Sequence, residues 1–153
     1  MSETQNKTPY FIVNVEAAIC KGGKWLMCVR SEKESHAGGM LSLVGGKVEH
    51  SDPAKETLEE AVKREVLEET GLSVRPVDYV QSTSFVSKLG NHIVDVVFLC
   101  EADEGKETLH APDELTELRW MTLDEIKKHP KAADWLIASM GMSAQLHSTK
   151  AHK

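Results

Sequence analysis

The sequence has no long apolar run and no block of basic residues. A membrane-spanning helix needs about 20 consecutive apolar residues, so we expect no membrane association. Lys and Arg number 18 against 24 Asp and Glu, which gives a net charge of −6 with the histidines neutral. Binding to a phosphate backbone requires a basic surface, and we therefore expect no nucleic-acid polymer as a partner. The sequence also lacks an opening basic-then-apolar leader, which predicts a cytoplasmic protein.

The cysteines are few and lack the spacing of a disulfide framework or a zinc site. There are 3 of them, Cys20, Cys28 and Cys100, and no C-x-x-C pair occurs. Each lies in an apolar, strand-like context, which favours buried thiols in a reducing compartment. The 153 residues fit one domain, and no repeat or composition break divides them. We expect a flexible N-terminus over residues 1–9, a single domain over 10–145 and a polar tail over 146–153.

Alternating and β-branched apolar residues predict several strands. They cover residues 11–20, 25–30, 41–44, 72–79, 80–86, 92–102 and 117–121. A Lys-Gly-Gly-Lys turn at residues 21–24 joins the first two strands into a hairpin. Two shorter helical patterns follow the last strand, at residues 123–128 and 132–140, and Thr122 with Glu125 forms a capping-box pattern before the first of them.

A longer helix is predicted between these strands, over residues 53–70. Its apolar residues recur at helical spacing. Ser51 or Asp52 is placed to cap its start, and Gly71 is placed to end it. Strands interspersed with helices in one domain indicate an α/β or α+β sandwich.

The predicted helix and the loop before it carry most of the acidic charge. Residues 45–72 contain eight Asp and Glu against four Lys and Arg. Glu65, Glu68 and Glu69 stand at i, i+3 and i+4 and therefore project from one side of the helix. A divalent cation such as Mg²⁺ relieves the repulsion between hard oxygen donors of this kind. A solvated helix face is the alternative, but the preceding Gly45-Gly46 pair favours a site, since glycine carbonyls can approach an ion or phosphate closely.

The segment from Gly46 to Leu72 resembles the Nudix box of the MutT-like hydrolases, G-x5-E-x7-R-E-U-x-E-E-x-G-U, where U is a bulky aliphatic residue. From Glu56 onward every fixed position agrees: seven residues separate Glu56 from Arg64, and R-E-V-L-E-E-T-G-L follows. Nine residues separate Gly46 from Glu56, where the family usually has five, as though the loop held a four-residue insertion. Such an insertion leaves the glutamate cluster in place.

The resemblance implies a fold and an activity. The family's fold is α/β, a three-layer α/β/α sandwich with a mixed β-sheet between helices. Its members hydrolyse a diphosphate linkage in a nucleoside diphosphate derivative, with Mg²⁺ or Mn²⁺ and an activated water. The requirement for a cation agrees with the charge of the helix, because an acidic helix would repel an anionic diphosphate. The expected partner is a small-molecule nucleotide, and a homodimer is compatible with the family.

The resemblance also assigns roles to individual residues. Glu65, Glu68 and Glu69 become metal ligands, with the carbonyl of Gly45 or Gly46 as a further ligand. The resemblance implies a catalytic role for these glutamates, for Arg64, which would position a carboxylate, and for Glu114, which would act as general base.

Three of these assignments have alternatives. Arg64 is expected to hold a cluster carboxylate in position rather than to touch substrate. The general base is either a box glutamate or Glu114, which otherwise belongs to a polar loop. Arg30, at the end of the second strand, is either a phosphate-binding arginine or a surface charge. Glu56 is expected to be structural.

The substrate stays open at this point. The segment Phe-Val-Ser-Lys-Leu-Gly-Asn at residues 85–91 has neither the proline of some ADP-ribose-cleaving relatives nor the tyrosine of some dinucleoside-polyphosphate enzymes. A nucleoside triphosphate or a nucleotide sugar remains possible as substrate. A non-catalytic nucleotide-binding module is the alternative function, although degenerate relatives usually lose box glutamates. A purely structural acidic helix would have no affinity for divalent cations.

Overall fold

The computed structural model describes residues 10–34 and 37–151. The predicted flexible N-terminus, residues 1–9, lies outside the described residues. The strands are β1 (Ile12–Lys21), β2 (Lys24–Arg30), β3 (Leu41–Ser42), β4 (Val44–Lys47), β5 (Val74–Val86), β6 (His92–Ala102) and β7 (Leu115–Met121), and the helices are α1 (Thr57–Thr70), α2 (Leu123–Lys128) and α3 (Asp134–Ala151).

The strands form one mixed sheet. Its main path is β3-β2-β1-β6-β5, with β4 paired to β1 and β7 paired to β2. Strands β1 and β6 run parallel, with Ile12 opposite Ile93 and Ile19 opposite Cys100. The other pairings are antiparallel. Because β1 has β4 on one side and β6 on the other, it brings the Gly45-Gly46 segment beside the centre of the sheet.

Each face of the sheet is covered by helices. Val15 and Ala17 of β1 pack in one apolar cluster with Val62 and Val66 of α1. Ala18, from the opposite face of β1, belongs to a second cluster that also contains residues of α2 and α3, including Ile126, Leu136 and Met140. Full burial of one such aliphatic side chain contributes about 1.5–3 kcal/mol, so both helical layers are firmly attached. The arrangement is the expected α/β/α sandwich.

Helix α1 begins later than the sequence pattern predicts. It starts at Thr57 rather than at residue 53, and Glu56 occupies the N-cap position in a left-handed conformation with φ 54° and no side-chain cap. Asp52 does not cap the helix, because its carboxylate accepts hydrogen bonds from Arg64 and from the Glu49 N–H. The predicted end is confirmed: Gly71 has φ 75° and its N–H donates to the Leu67 carbonyl.

Several other boundaries differ from the sequence pattern. The two segments predicted at 72–86 form the single strand β5, with register irregularities near Pro76 and Tyr79. The segment predicted at 41–44 is divided between β3 and β4. Helix α3 continues to Ala151, beyond the predicted residue 140 and through part of the expected polar tail, because Leu146 packs on the second apolar cluster. The capping box at Thr122 and Glu125 is confirmed.

The expectation of buried thiols holds for two of the three cysteines. Cys28 and Cys100 are buried free thiols, whereas Cys20 is partly exposed. Among the described residues, no helix combines the length and apolarity that crossing a membrane would require.

Candidate active site

Helix α1 turns two of its glutamates inward against β4. Glu65 and Glu69 are 7% and 3% exposed, whereas the side chain of Glu68, between them on the same face, is 57% exposed. The Gly45 N–H donates to Glu69 Oε1 at 3.2 Å. The backbone of β4 and the buried carboxylates of α1 therefore form one contiguous polar surface.

The two glycines of β4 are required for two different contacts. A Cβ on Gly45 would lie 2.0 Å from the Val15 carbonyl oxygen, so glycine there permits β4 to pair closely with β1. A Cβ on Gly46 would lie 2.3 Å from Glu65 Oε2, so glycine there leaves room for the carboxylate. Both carbonyls belong to the strand that contacts the glutamates, as the predicted ligand set requires.

Arg64 connects the loop before α1 to the glutamate cluster. Its guanidinium donates to both carboxylate oxygens of Asp52, at 2.7 and 3.0 Å, and to the Lys47 carbonyl at 3.0 Å. It also donates to Glu65 Oε1 at 2.9 Å and lies 3.3 Å from Glu68 Oε2. These hydrogen bonds hold the pKa of Asp52 below its ordinary value. Arg64 thus contacts cluster carboxylates, as predicted, but its bidentate partner Asp52 was missed.

Glu114 lies beside the buried glutamates. It belongs to the loop before β7, and its carbonyl accepts a hydrogen bond from the Ser31 N–H at 2.8 Å. Burial, the charges of Glu65 and Glu114, and a hydrogen bond with the Glu114 side chain raise the pKa of Glu69 to about 9. Burial also raises the pKa of Glu65, against the lowering effect of Arg64. Glu114 is far from α1 in the sequence, so no local pattern reveals this cluster. The fold brings the loop and the helix together.

The carboxylate oxygens at this site are of the kind that a divalent cation prefers, but the side chains are not gathered around one point. Among the residues that the structure describes, no three Asp, Glu, His or Cys side chains form a ready metal-ligand group. Glu68 contacts the Arg64 guanidinium instead. The buried carboxylates of Glu65 and Glu69 are nevertheless hard oxygen donors whose mutual repulsion a cation would neutralise. Burial first, and then the charges of Glu65 and Glu114, raise the pKa of Glu69.

A cleft of about 290 Å³ opens on the other face of the sheet, beside α3. Arg30, the predicted phosphate-binding residue, lines it together with Glu34, whose Oε2 lies 3.6 Å from Arg30 Nη2. Its lining also includes three polar residues of β1 and β6 that the sequence analysis did not single out: Asn14, Glu16 and Asp95. The sequence marks these residues only as polar positions inside otherwise apolar strands: Asn14 and Glu16 alternate in β1, and Asp95 interrupts β6.

Comparison with known proteins identifies the family. The NUDIX domain model matches residues 11–139, and the chain belongs to the NUDIX family. This confirms the resemblance carried by the box at Gly46–Leu72. Nudix hydrolases as a class use a divalent metal.

Two relatives in sequence are NAD-capped RNA hydrolases named NudC. The protein from Yersinia enterocolitica is 34% identical over 116 residues, which cover 76% of this chain and 40% of the relative. The protein from Photorhabdus laumondii is 35% identical over 100 residues, which cover 65% of this chain and 36% of the relative. The chain therefore spans well under half the length of these relatives.

Two solved structures have the same fold over nearly their whole length. The MutT NUDIX hydrolase from Burkholderia pseudomallei has a TM-score of 0.72 and 27% identity, and the match covers 89% of this chain and 98% of that one. The MutT protein from Methanosarcina mazei Go1 has a TM-score of 0.74 and 25% identity, with coverage of 92% and 98%. The expected α/β/α sandwich is confirmed.

Proposed function

We propose that the chain hydrolyses the diphosphate linkage of a nucleoside diphosphate derivative, with Mg²⁺ as the cofactor and Mn²⁺ as a substitute. The observation that carries this proposal is the contact between the buried carboxylates of Glu65 and Glu69 and the Gly45-Gly46 backbone, within a complete box from Glu56 to Leu72. The cation would be held by Glu65, Glu68 and Glu69, with the carbonyl of Gly45 or Gly46 as a further ligand. When bound, a divalent cation lowers the pKa of a water and neutralises charge on phosphate oxygens.

Two further side chains, Arg64 and Glu114, have roles in the proposed reaction. Arg64 positions Glu65 through the 2.9 Å contact, while Asp52 fixes the guanidinium. Glu114 accepts the proton of the attacking water in this scheme, since it lies at the buried carboxylates and on an exposed loop. Glu69, a box glutamate whose carboxylate lies beside Gly45 and Glu114, is the alternative base.

The substrate is expected to be a small molecule. Arg30 lines the cleft and is proposed to contact a phosphate. The named relatives act on NAD-capped RNA. NAD contains a diphosphate linkage of the proposed kind, but the net charge of −6 disfavours a long RNA body on this chain. A cytoplasmic location and a homodimer both stay predictions, the former supported by the free thiols.

The proposal is tested with purified protein, Mg²⁺ and a panel of nucleoside diphosphate derivatives, nucleoside triphosphates and NAD. Glu68→Gln and Glu69→Gln should each lower turnover by at least about a hundredfold, because each removes a charged ligand. Glu59→Gln is the matched control: it lies on the same helix, and it is exposed.

Two outcomes would contradict the proposal. One is the absence of turnover for every compound, and the other is unchanged turnover in both ligand variants. Calorimetric binding of a nucleotide without any product would instead indicate the non-catalytic module.

A further inference from the structure

We propose that Trp120 and Glu107 are positioning residues for Glu114, the proposed general base, because their hydrogen bond holds the loop that carries Glu114. The inference deepens the proposed function and rests on it for the role of Glu114. The loop consists of residues 103–114, between the end of β6 and the start of β7. All of these residues lie in the part of the chain that the structure describes, and they form no helix or strand. Contacts with the rest of the protein must therefore fix the position of Glu114.

The backbone of this loop supplies hydrogen-bond donors to the end of α1. The Thr108 N–H donates to the Thr70 carbonyl at 2.9 Å. The His110 N–H donates to the Glu69 carbonyl at 2.9 Å. The last carbonyls of an α-helix have no partner within the helix, so the loop satisfies two of them. Because the carboxylate of Glu69 also lies beside Glu114, the loop holds the backbone of the same residue that Glu114 approaches.

A side chain of the loop is attached to the sheet. The Trp120 indole N–H donates to Glu107 Oε1 at 2.7 Å. Glu107 is partly buried, whereas the other residues from 103 to 110 are exposed. Trp120 stands opposite Leu26 of β2 and packs on the apolar cluster between α1 and the sheet, so the sheet fixes its position. A partly buried indole N–H usually requires an acceptor, and Glu107 supplies it from the loop.

The end of the loop next to Glu114 is also attached to β7. The N–H groups of Glu114 and Leu115 both donate to the Ala111 carbonyl, at 3.0 and 2.9 Å. Leu115, the first residue of β7, is buried in the apolar core. Glu114 therefore belongs to a segment that β7 holds at both ends, through the Trp120 indole at one end and through Leu115 at the other.

Loss of the Trp120–Glu107 hydrogen bond would change the position of Glu114 relative to α1. The bonds from Thr108 and His110 to α1 would then open more often, because both residues are exposed and would lose the neighbouring attachment. A general base must lie within hydrogen-bond reach of the water that it activates. A displacement of about 1 Å can lower a rate by about a hundredfold, and because the turn before Glu114 would remain, we expect a smaller loss of about tenfold.

Steady-state kinetics with Mg²⁺ and the compound of the panel that is hydrolysed fastest measure this effect. Trp120→Phe removes the indole N–H but retains an aromatic ring, and Glu107→Ala removes the acceptor. Each should lower kcat by about tenfold and change KM by less than about twofold, because the base acts on the reacting water and not on substrate binding. Glu107→Gln retains a carbonyl acceptor and should restore kcat to within about threefold of the unmodified protein. Glu104→Ala, a change at an exposed glutamate of the same loop, is the matched control and should leave kcat unchanged.

A double-mutant cycle separates the positioning of Glu114 from a general structural role. Glu114→Gln should lower kcat by about a hundredfold or more, as expected for loss of a general base. In that background Trp120→Phe and Glu107→Ala should cause no further fall, because the residue that they position no longer acts as a base. A further fall equal to that in the unmodified background would overturn the inference. Unchanged kcat in both single variants, or in Glu114→Gln, would overturn it as well.

Amide hydrogen exchange tests the attachment of the loop without requiring turnover. Trp120→Phe and Glu107→Ala should speed exchange of the Thr108 and His110 amides by about tenfold or more, whereas Glu104→Ala should not. Far-ultraviolet circular dichroism reports whether each variant folds. Unchanged exchange in both variants would overturn the inference even if the protein hydrolyses diphosphates. Faster exchange in a protein that hydrolyses none of the compounds would support the attachment and overturn the proposed function.

Discussion

Replacing Asp52 by Ala should cost more stability than its place in a surface loop suggests. The carboxylate accepts two hydrogen bonds from Arg64, at 2.7 and 3.0 Å, and one from the Glu49 N–H at 2.7 Å, and its side chain is 2% exposed. Hydrogen bonds to charged groups are each worth about 1.5–3 kcal/mol. The Arg64 side chain is 22% exposed and keeps other acceptors, so solvent and those acceptors reduce the loss. We expect the free energy of unfolding to fall by about 2–3 kcal/mol.

The measurement is urea unfolding at pH 7, with Glu49→Ala as the matched control. Glu49 lies in the same loop with the same charge, but its Oε1 is 3.8 Å from Arg64 and its side chain is 56% exposed. Its loss should change the free energy of unfolding by less than about 0.5 kcal/mol. Turnover should fall by about tenfold or more in Asp52→Ala alone, because Arg64 would no longer be fixed against Glu65.

The pH dependence gives a further check with a defined sign. Arg64 lowers the pKa of Asp52 in the folded protein, so the unfolded chain takes up the proton first as the pH falls. The contribution of Asp52 is complete above its ordinary pKa of 3.8 and is lost as the pH falls below that value. The stability difference between the unmodified protein and Asp52→Asn should therefore shrink in that range. Equal effects of Asp52→Ala and Glu49→Ala, or a difference that grows in acid, would refute the reasoning.

Two further substitutions test the local geometry. Gly46→Ala places a Cβ 2.3 Å from Glu65 Oε2, so it should displace the carboxylate and lower turnover by about a hundredfold. The circular dichroism spectrum should change little. Unchanged turnover would show that the position of Glu65 is not critical. Thr122→Ala removes the capping box of α2 and should lower the free energy of unfolding by about 1 kcal/mol in thermal denaturation while turnover is retained. A loss of turnover at constant stability would contradict the purely structural role of Thr122.

Local patterns predicted the parts of the fold that depend on local interactions. The strand His92–Ala102 and the helix Leu123–Lys128 have the bounds expected from periodicity and capping. The end of α1 at Gly71 follows from the same local chemistry. The start of α1 was wrong because Asp52 pairs with Arg64, twelve residues away, and a helix cap competes with that long-range contact.

The sequence predicted only part of the candidate site. The box identified Glu65, Glu68 and Glu69 through their spacing, and the structure brings Glu114 to two of them. The spacing gave no indication that Glu68 would lie against Arg64 while the other two are buried. Sequence analysis missed the polar residues Asn14, Glu16 and Asp95 that line the cleft. The register of β1 against β6 brings them together, and no local pattern specifies that register.

The attachment of Arg64 has a consequence for finding related proteins. The guanidinium takes acceptors from the loop of nine residues between Gly46 and Glu56, and the contact with Asp52 holds that loop against α1. A search template with a fixed gap at this point would reject this chain, although its sequence matches the box from Glu56 to Leu72. A template that allows a variable gap, and asks instead for an acidic residue within it, would recover this chain.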